Sequence, residues 1–149
     1  MEAEKNGLTT RRLAADEFGE LLALENAFRE AVGEEPLSPL MARRLEEAVK
    51  EERIYFLVTR DGQKPVGMCS VSPAFSTYGC ASCGLFDDFY MDPAYRRTGA
   101  ARTLAGAAFA LCAQLGLESL FVGCAPCDDD MYHALGFTTV LGHMRAWNG

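Results

Sequence analysis

Apolar side chains along the chain repeat in two ways, in short alternating or continuous runs and at three- to four-residue spacing, and the switches between them mark its elements. Thr9 to Leu13 predicts a short first strand. Asp16 then stands at the cap position of a helix whose Leu21, Leu24, Phe28 and Val32 fall on one face, and Gly33 and Pro36 end it. Ser38 followed by Pro39 reads as the cap and first position of a second helix carrying Met41, Leu45 and Val49. Ile54 to Thr59 and Pro65 to Ser72 are apolar runs rich in β-branched and aromatic residues, and Asp61 and Gly62 between them predict a hairpin.

Leu85 to Met91 reads as a further strand with Asp87 and Asp88 inside it, stopped by Asp92 and Pro93. From Gly99 to Leu115 the chain is Ala-rich and helical, with Leu104, Phe109, Leu111, Cys112 and Leu115 available for packing. Leu120 to Val122 predicts a short strand, Asp129 to Leu135 a short helix, and Thr138 to Trp147 a closing strand region broken by Gly142. The sum is a mixed α/β (α+β) fold, a central mixed sheet flanked by helices, with one strand-helix-strand unit of right-handed crossover and parallel strands. Residues 1–149 read as a single domain.

The 149 residues suffice for one ordinary core, burying roughly 68 to 70% of the unfolded surface. With 14 Lys and Arg against 21 Asp and Glu, the net charge of −7 repels polyanions and favours a cationic ligand, so nucleic acid is not expected as a partner. The stretch from Leu104 to Leu117 falls short of the ~20 apolar residues a bilayer span needs, so no membrane partner is expected. Met1 to Arg12 mixes both charges without an apolar core, which predicts a cytoplasmic protein whose six cysteines are reduced thiols.

The segment Tyr95-Arg96-Arg97-Thr98-Gly99-Ala100-Ala101 lies between a strand and the Ala-rich helix, where free N–H groups and the helix dipole favour an anion. It has neither the Gly-rich triplet of a dinucleotide site nor the Lys-Ser/Thr pair of a Walker loop. Arg96, Gly99 and Ala101 fit the pattern Arg or Gln, two residues, Gly, one residue, Gly or Ala, and Tyr132 with Gly136-Phe137 fits a later Tyr, three residues, Gly-Phe pattern. On these residues, and on the order of elements from Thr9 to Trp147, the chain resembles the GNAT superfamily of N-acetyltransferases. Phe75-Ser76-Thr77 and Phe86 through Met91 look like its diamine acetyltransferase branch. Ala125 stands where the family usually has Asn, and Arg97 where the branch usually has Gly.

The resemblance implies acetyl-CoA as co-substrate. It implies that the strand holding Phe89, Tyr90 and Met91 is bulged and splayed from its parallel neighbour, leaving backbone groups to pair with the pantetheine arm as if it were a strand. The diphosphate would rest on the amides from Arg97 to Arg102, so that Arg96, Arg97, Thr98, Gly99, Ala100, Ala101 and Arg102 form its cradle. The expected acceptor is a primary amine of a small molecule, whether polyamine, diamine or amino-acid-like, attacking directly in a ternary complex. A protein N-terminus or lysine is the alternative, to be told apart by an open groove in place of a closed pocket. A homodimer is the one protein assembly considered.

An amine of pKa near 10.4 must give up a proton to attack, and at pH 7 the neutral form costs roughly 4.6 kcal/mol. Asp87, in the place of the family's strand Glu, is the expected base through a water, being one methylene shorter. Asp88 points to the opposite side of a regular strand unless a bulge falls between the two; it is left to bind substrate or to anchor backbone. The leaving thiolate needs a proton, and Tyr132, a phenol that stays protonated at neutral pH, is the expected acid.

Cys80 with Cys83 and Cys124 with Cys127 form two C-x-x-C pairs, which suggest a rival, a non-catalytic zinc or redox module. Zinc modules space such pairs roughly 15 to 20 residues apart, whereas 40 residues, positions 84 to 123, lie between Cys83 and Cys124. If their strands are parallel neighbours the pairs sit at opposite ends, roughly 20 Å apart. The expectation is therefore no metal, with the cysteines as small buried thiols. His133, beside Tyr132 on a helix, and His143 read as solvated. The run Glu46, Glu47, Glu51 and Glu52 among Arg43, Arg44 and Lys50 reads as a charged helix face.

Overall fold

In the computed structural model, which describes residues 2–149, Asn6 and Gly7 adopt φ of 54° and 77° and turn the chain into a hairpin of β1 (Glu2–Lys5) and β2 (Leu8–Arg12). Beside it run β3 (Tyr55–Asp61), β4 (Lys64–Ser76), β5 (Ala81–Met91) and β6 (Ser119–Val122), giving one six-stranded sheet in chain order. Every neighbouring pair is antiparallel except β5 with β6. That parallel pair needs a crossover, and α3 (Ala100–Leu115) supplies it.

Alternation along the strands feeds two layers of core. Leu57, Val66, Cys69, Val71, Phe86 and Met91 pack against Leu104, Ala108 and Leu111 of α3. On the other face Phe56, Val58 and Met68 pack against Leu21 and Leu24 of α1 (Phe18–Ala31), while Leu45 and Val49 of α2 (Pro39–Lys50) close the edge of that cluster. The Ser38 hydroxyl accepts from the Met41 amide at 3.2 Å with Pro39 at the first helical position, as the sequence predicts. The short helix expected at Asp129 to Leu135 is α4 (Asp129–Leu135). No helix among the described residues is long and apolar enough to cross a membrane.

Three expectations are corrected. Asp16 does not cap α1, which is entered through a tight turn at Ala15–Glu17; there the Glu17 carboxylate accepts from the Ala14 amide and from Arg11 Nη1, both at 2.9 Å. Thr138 to Trp147 forms no strand. Gly136 turns the chain at φ 122°, Gly142 again has a positive φ of 102°, and Met144 lies over Gly123 rather than beside the short β6. Nor are all six cysteines buried: Cys69, Cys83 and Cys112 are, whereas Cys80, Cys124 and Cys127 are exposed on turns and loops.

Candidate active site

The parallel ladder of β5 and β6 is four residues long, Cys83 to Phe86 beside Ser119 to Val122. Beyond it β5 runs on through Asp87, Asp88, Phe89, Tyr90 and Met91 with β4 on one side and no strand on the other. Ser70 is opposite Asp87 and Met68 opposite Tyr90, so Asp88 and Phe89 face the single residue Cys69, and Asp88 takes φ 51° to absorb the extra residue. The pairing with β6 ends at Phe86, just ahead of this bulge. Phe89 and Met91 wall the α3 side of the resulting slot, and Tyr90 packs toward Phe28 of α1, ring centroids 6.2 Å apart.

Downstream of Met91 a fixed turn delivers the start of α3 to the same place. The Asp92 amide donates to the Val66 carbonyl at 2.8 Å and the Asp92 carboxylate accepts from the Ala94 amide at 2.9 Å. Tyr95 donates its hydroxyl to Asp61 at 2.8 Å, and Arg96 Nε donates to the Met91 carbonyl at 3.1 Å. Arg96 thus braces turn against strand through Nε, and its two Nη groups have no partner among the described residues. Arg97 at φ 61° and Gly99 at φ 86° bend the chain into the helix. Among the described residues no acceptor meets the amides of Arg97, Thr98, Gly99, Ala101 and Arg102, the unpaired donors a helix start carries.

Two carboxylates sit at the bulge, and a third, on α1, feels their charge. Asp87 is exposed and accepts from the Asp88 amide at 3.0 Å, and Asp88, half-buried, accepts from the hydroxyl of the fully buried Ser70 at 2.9 Å. Because the bulge follows Asp87 directly, the alternation that would send the two acids to opposite faces is broken. Glu25, one turn after Leu21 on the apolar stripe of α1, is 6% exposed, with no hydrogen-bond or ion-pair partner among the described residues. Burial first, then the charges of Asp88 and Asp87, push its carboxyl up to about 8, against the weaker pull of Arg29. Burial likewise raises Asp88, against the hydrogen bond from Ser70.

On the β6 side of the slot stands Tyr132. Its ring packs on Phe86, Phe89 and Phe137, with centroids 6.4, 6.1 and 5.8 Å away. Burial in this aromatic nest, then the charges of Asp128, Cys124 and Asp87, push its phenol up to about 12. Asp87 therefore lies within electrostatic reach of both Tyr132 and Glu25. The next residue, His133, is exposed.

The structure thus gathers Asp87, Asp88, Phe89, Tyr90 and Met91 on the open half of β5, with Tyr132 against Phe86 and Phe89 and the turn before α3 tied to Met91 through Arg96. Cys83 lies beside Ser119 at one end of the parallel ladder and Cys124 just beyond Val122 at the other. Glu25 and Ser70 join the site unannounced by motif, although a Glu inside an apolar helical stripe is a visible anomaly. A cavity of about 490 Å³ lies elsewhere, between α3 and the β2–β3 face. It is lined by small side chains such as Gly106 and Ala110 and by Arg12, which Glu52 and the Tyr55 ring already hold.

A sequence-family model described as "Acetyltransferase (GNAT) family" matches residues 19–137. An aminoglycoside acetyltransferase from an uncultured soil metagenomic sample, solved with trehalose, superposes with a TM-score of 0.85 at 20% identity over 97% of both chains. The same protein has been solved with sisomicin. A Clostridium acetobutylicum protein described as a predicted acetyltransferase, solved with acetyl-CoA, superposes with a TM-score of 0.78 at 12% identity over 93% of this chain and 95% of that one. Glucosamine-6-phosphate N-acetyltransferase of Arabidopsis thaliana gives 0.71 at 14% over 94% and 97%. At these identities the likeness is one of fold. No curated protein matches the chain by sequence.

Proposed function

The chain belongs to the acetyltransferase (GNAT) family and is an acetyl-CoA-dependent N-acetyltransferase; from this premise we propose that its acceptor is a primary amine of a small molecule, of polyamine, diamine or amino-sugar kind. The observation that carries this reading is the pair of carboxylates at the place where β5 parts from β6, with a third that feels their charge and no free cation among them. Anionic side chains around a slot recruit ammonium groups, and the chain's net charge of −7 acts in the same direction. The soil relative solved with sisomicin, a molecule with several amino groups, is consistent with it.

The residues divide the work as follows. The unpaired edge of Asp87 to Met91 takes the pantetheine arm as an added strand, and the amides of Arg97 to Arg102 take the diphosphate. Acetyl-CoA, once bound, supplies an acyl group activated as a thioester. Asp87, exposed at the slot, takes the proton of the incoming ammonium through a water, offsetting part of the roughly 4.6 kcal/mol that deprotonation costs at pH 7. Asp88, held by Ser70, helps to hold the acceptor molecule. Tyr132, with its proton held to about pH 12, presents an O–H to the sulfur that departs. Thiols ionise near 8.5, so this phenol acts by hydrogen bond to the departing sulfur more than by full transfer, and the amine's own proton balances the step.

The test is a panel of amines incubated with acetyl-CoA while free thiol is followed. Release of thiol that depends on both the amine and Asp87 is expected. Thiol release that requires a peptide N-terminus or lysine, with every small amine inert, would overturn the reading.

A further inference from the structure

A carboxylate placed on the apolar face of a helix, nine-tenths buried and without a partner, is an expensive arrangement, and proteins keep such groups where a ligand completes them. Glu25 fits that description. It sits between Leu24 and Phe28 on the stripe of α1 that packs on β4 and β5, yet among the described residues no donor reaches its carboxylate, whose oxygens keep contact with solvent. Its neighbours make matters worse: the charges that reach it are Asp88 and Asp87, both of its own sign, and the one cation, Arg29 on the same helix, turns instead to the Glu35 carbonyl and Glu34. Asp88 is held by a hydrogen bond from the buried Ser70 at 2.9 Å.

We propose that Glu25 is a specificity-determining residue of the acceptor site, pairing with Asp88 to hold a second ammonium group of the acceptor, so that the enzyme selects amines with two or more cationic nitrogens over those with one. The inference rests on the small-amine reading above and sharpens it to a charge class. The geometry separates two stations. Asp87, exposed and with its charge felt at the Tyr132 phenol, serves the nitrogen that reacts. Glu25 and Asp88, deeper and on the α1 side of the bulge, serve the nitrogen that does not. An ammonium brought between them gains two ionic hydrogen bonds and relieves the repulsion of like charges. A monoamine occupying the reactive station leaves that repulsion in place. A proton can keep Glu25 neutral in the empty site, so the bound dication takes over the role of that proton.

The measurement is kcat/KM at pH 8 for matched acceptors: 1,4-diaminobutane and spermidine against 1-aminobutane, and sisomicin against glucosamine. The unmodified enzyme should prefer the multiply charged member of at least one pair by 30-fold or more. Glu25→Gln should reduce that ratio at least tenfold, mainly through KM of the polycation, and Glu25→Asp should restore part of it. Tm of each variant, measured alongside, separates this from a structural role, since a structural glutamate would lower Tm and depress both members of a pair equally. A ratio that Glu25→Gln leaves unchanged overturns the proposal while the small-amine reading stands. Inactivity toward every amine, with acetyl-CoA still bound, overturns both.

Discussion

The two halves of β5 share one strand and behave oppositely. From Cys83 to Phe86 the strand is paired on both sides, by β4 and β6, and its inward residues are buried. From Asp87 to Met91 it is paired on one side, kinked at Asp88, and carries two carboxylates where a buried strand would carry apolar residues. The first half holds the sheet together, and the second leaves backbone and charge unsatisfied within reach of the α3 amides. The contrast shows how one inserted residue accompanies the change from a strand paired on both sides to one with an open edge, without a change of element.

The largest effect should come from the closed half. Phe86 touches the rings of Phe89 and Phe137, centroids 5.4 and 5.2 Å away, so Phe86→Ala should cost about 3–5 kcal/mol of stability in urea unfolding, and a smaller loss would mean that the ladder closes without it. Next, at the mouth of the open half, Gly99→Glu sets a carboxylate among the free amides and forces a side chain into φ 86°. The Kd for acetyl-CoA should rise about 100-fold or more, and an unaltered Kd would remove the diphosphate from this turn. Tyr132→Phe should lower kcat about 100-fold with little change in the Kd of acetyl-CoA, at the low end of the range for a single proton-donating group. Unchanged kcat would leave Tyr132 as packing for α4.

A smaller effect sharpens the contrast through pH. The Glu25 carboxyl, near 4.5 when unfolded, is raised to about 8 in the fold, so the native state holds its proton more tightly. Its contribution is full below pH 4.5 and is lost as pH rises toward 8. Replacing it by leucine should therefore flatten the fall in stability between pH 5 and 8 by on the order of 1–2 kcal/mol, and a curve parallel to the parent's would show that Glu25 is solvated.

How much of this the sequence discloses differs between the same two halves. Periodicity alone places α3, α4, the Ser38-Pro39 helix start and the β3–β4 hairpin, because each is decided by local spacing and turn chemistry. The bulge is not local. It depends on how β4 and β5 align, and only the resemblance to a family, not the residue pattern, anticipates it. Glu25 and Ser70 reach the site through α1 and β4 packing, so no motif around Asp87 could name them. The Asn6-Gly7 turn was a legible hairpin signal, but β1 before it is charged and short, without the alternation that marks a strand. Thr138 to Trp147 shows the converse: apolar content suggests a strand, but a strand forms only against an edge, and β6 offers four residues.

Amide hydrogen exchange with and without acetyl-CoA tests the central claim most directly, because it reads both halves of β5 in one experiment. Acetyl-CoA should slow exchange at least tenfold within Asp87 to Met91 and Arg97 to Arg102, and leave Cys83 to Phe86, already paired on both sides, as it was. Protection that appears instead along Thr103 to Gln114, in the cavity between α3 and β2, with none at the open edge, would contradict the account.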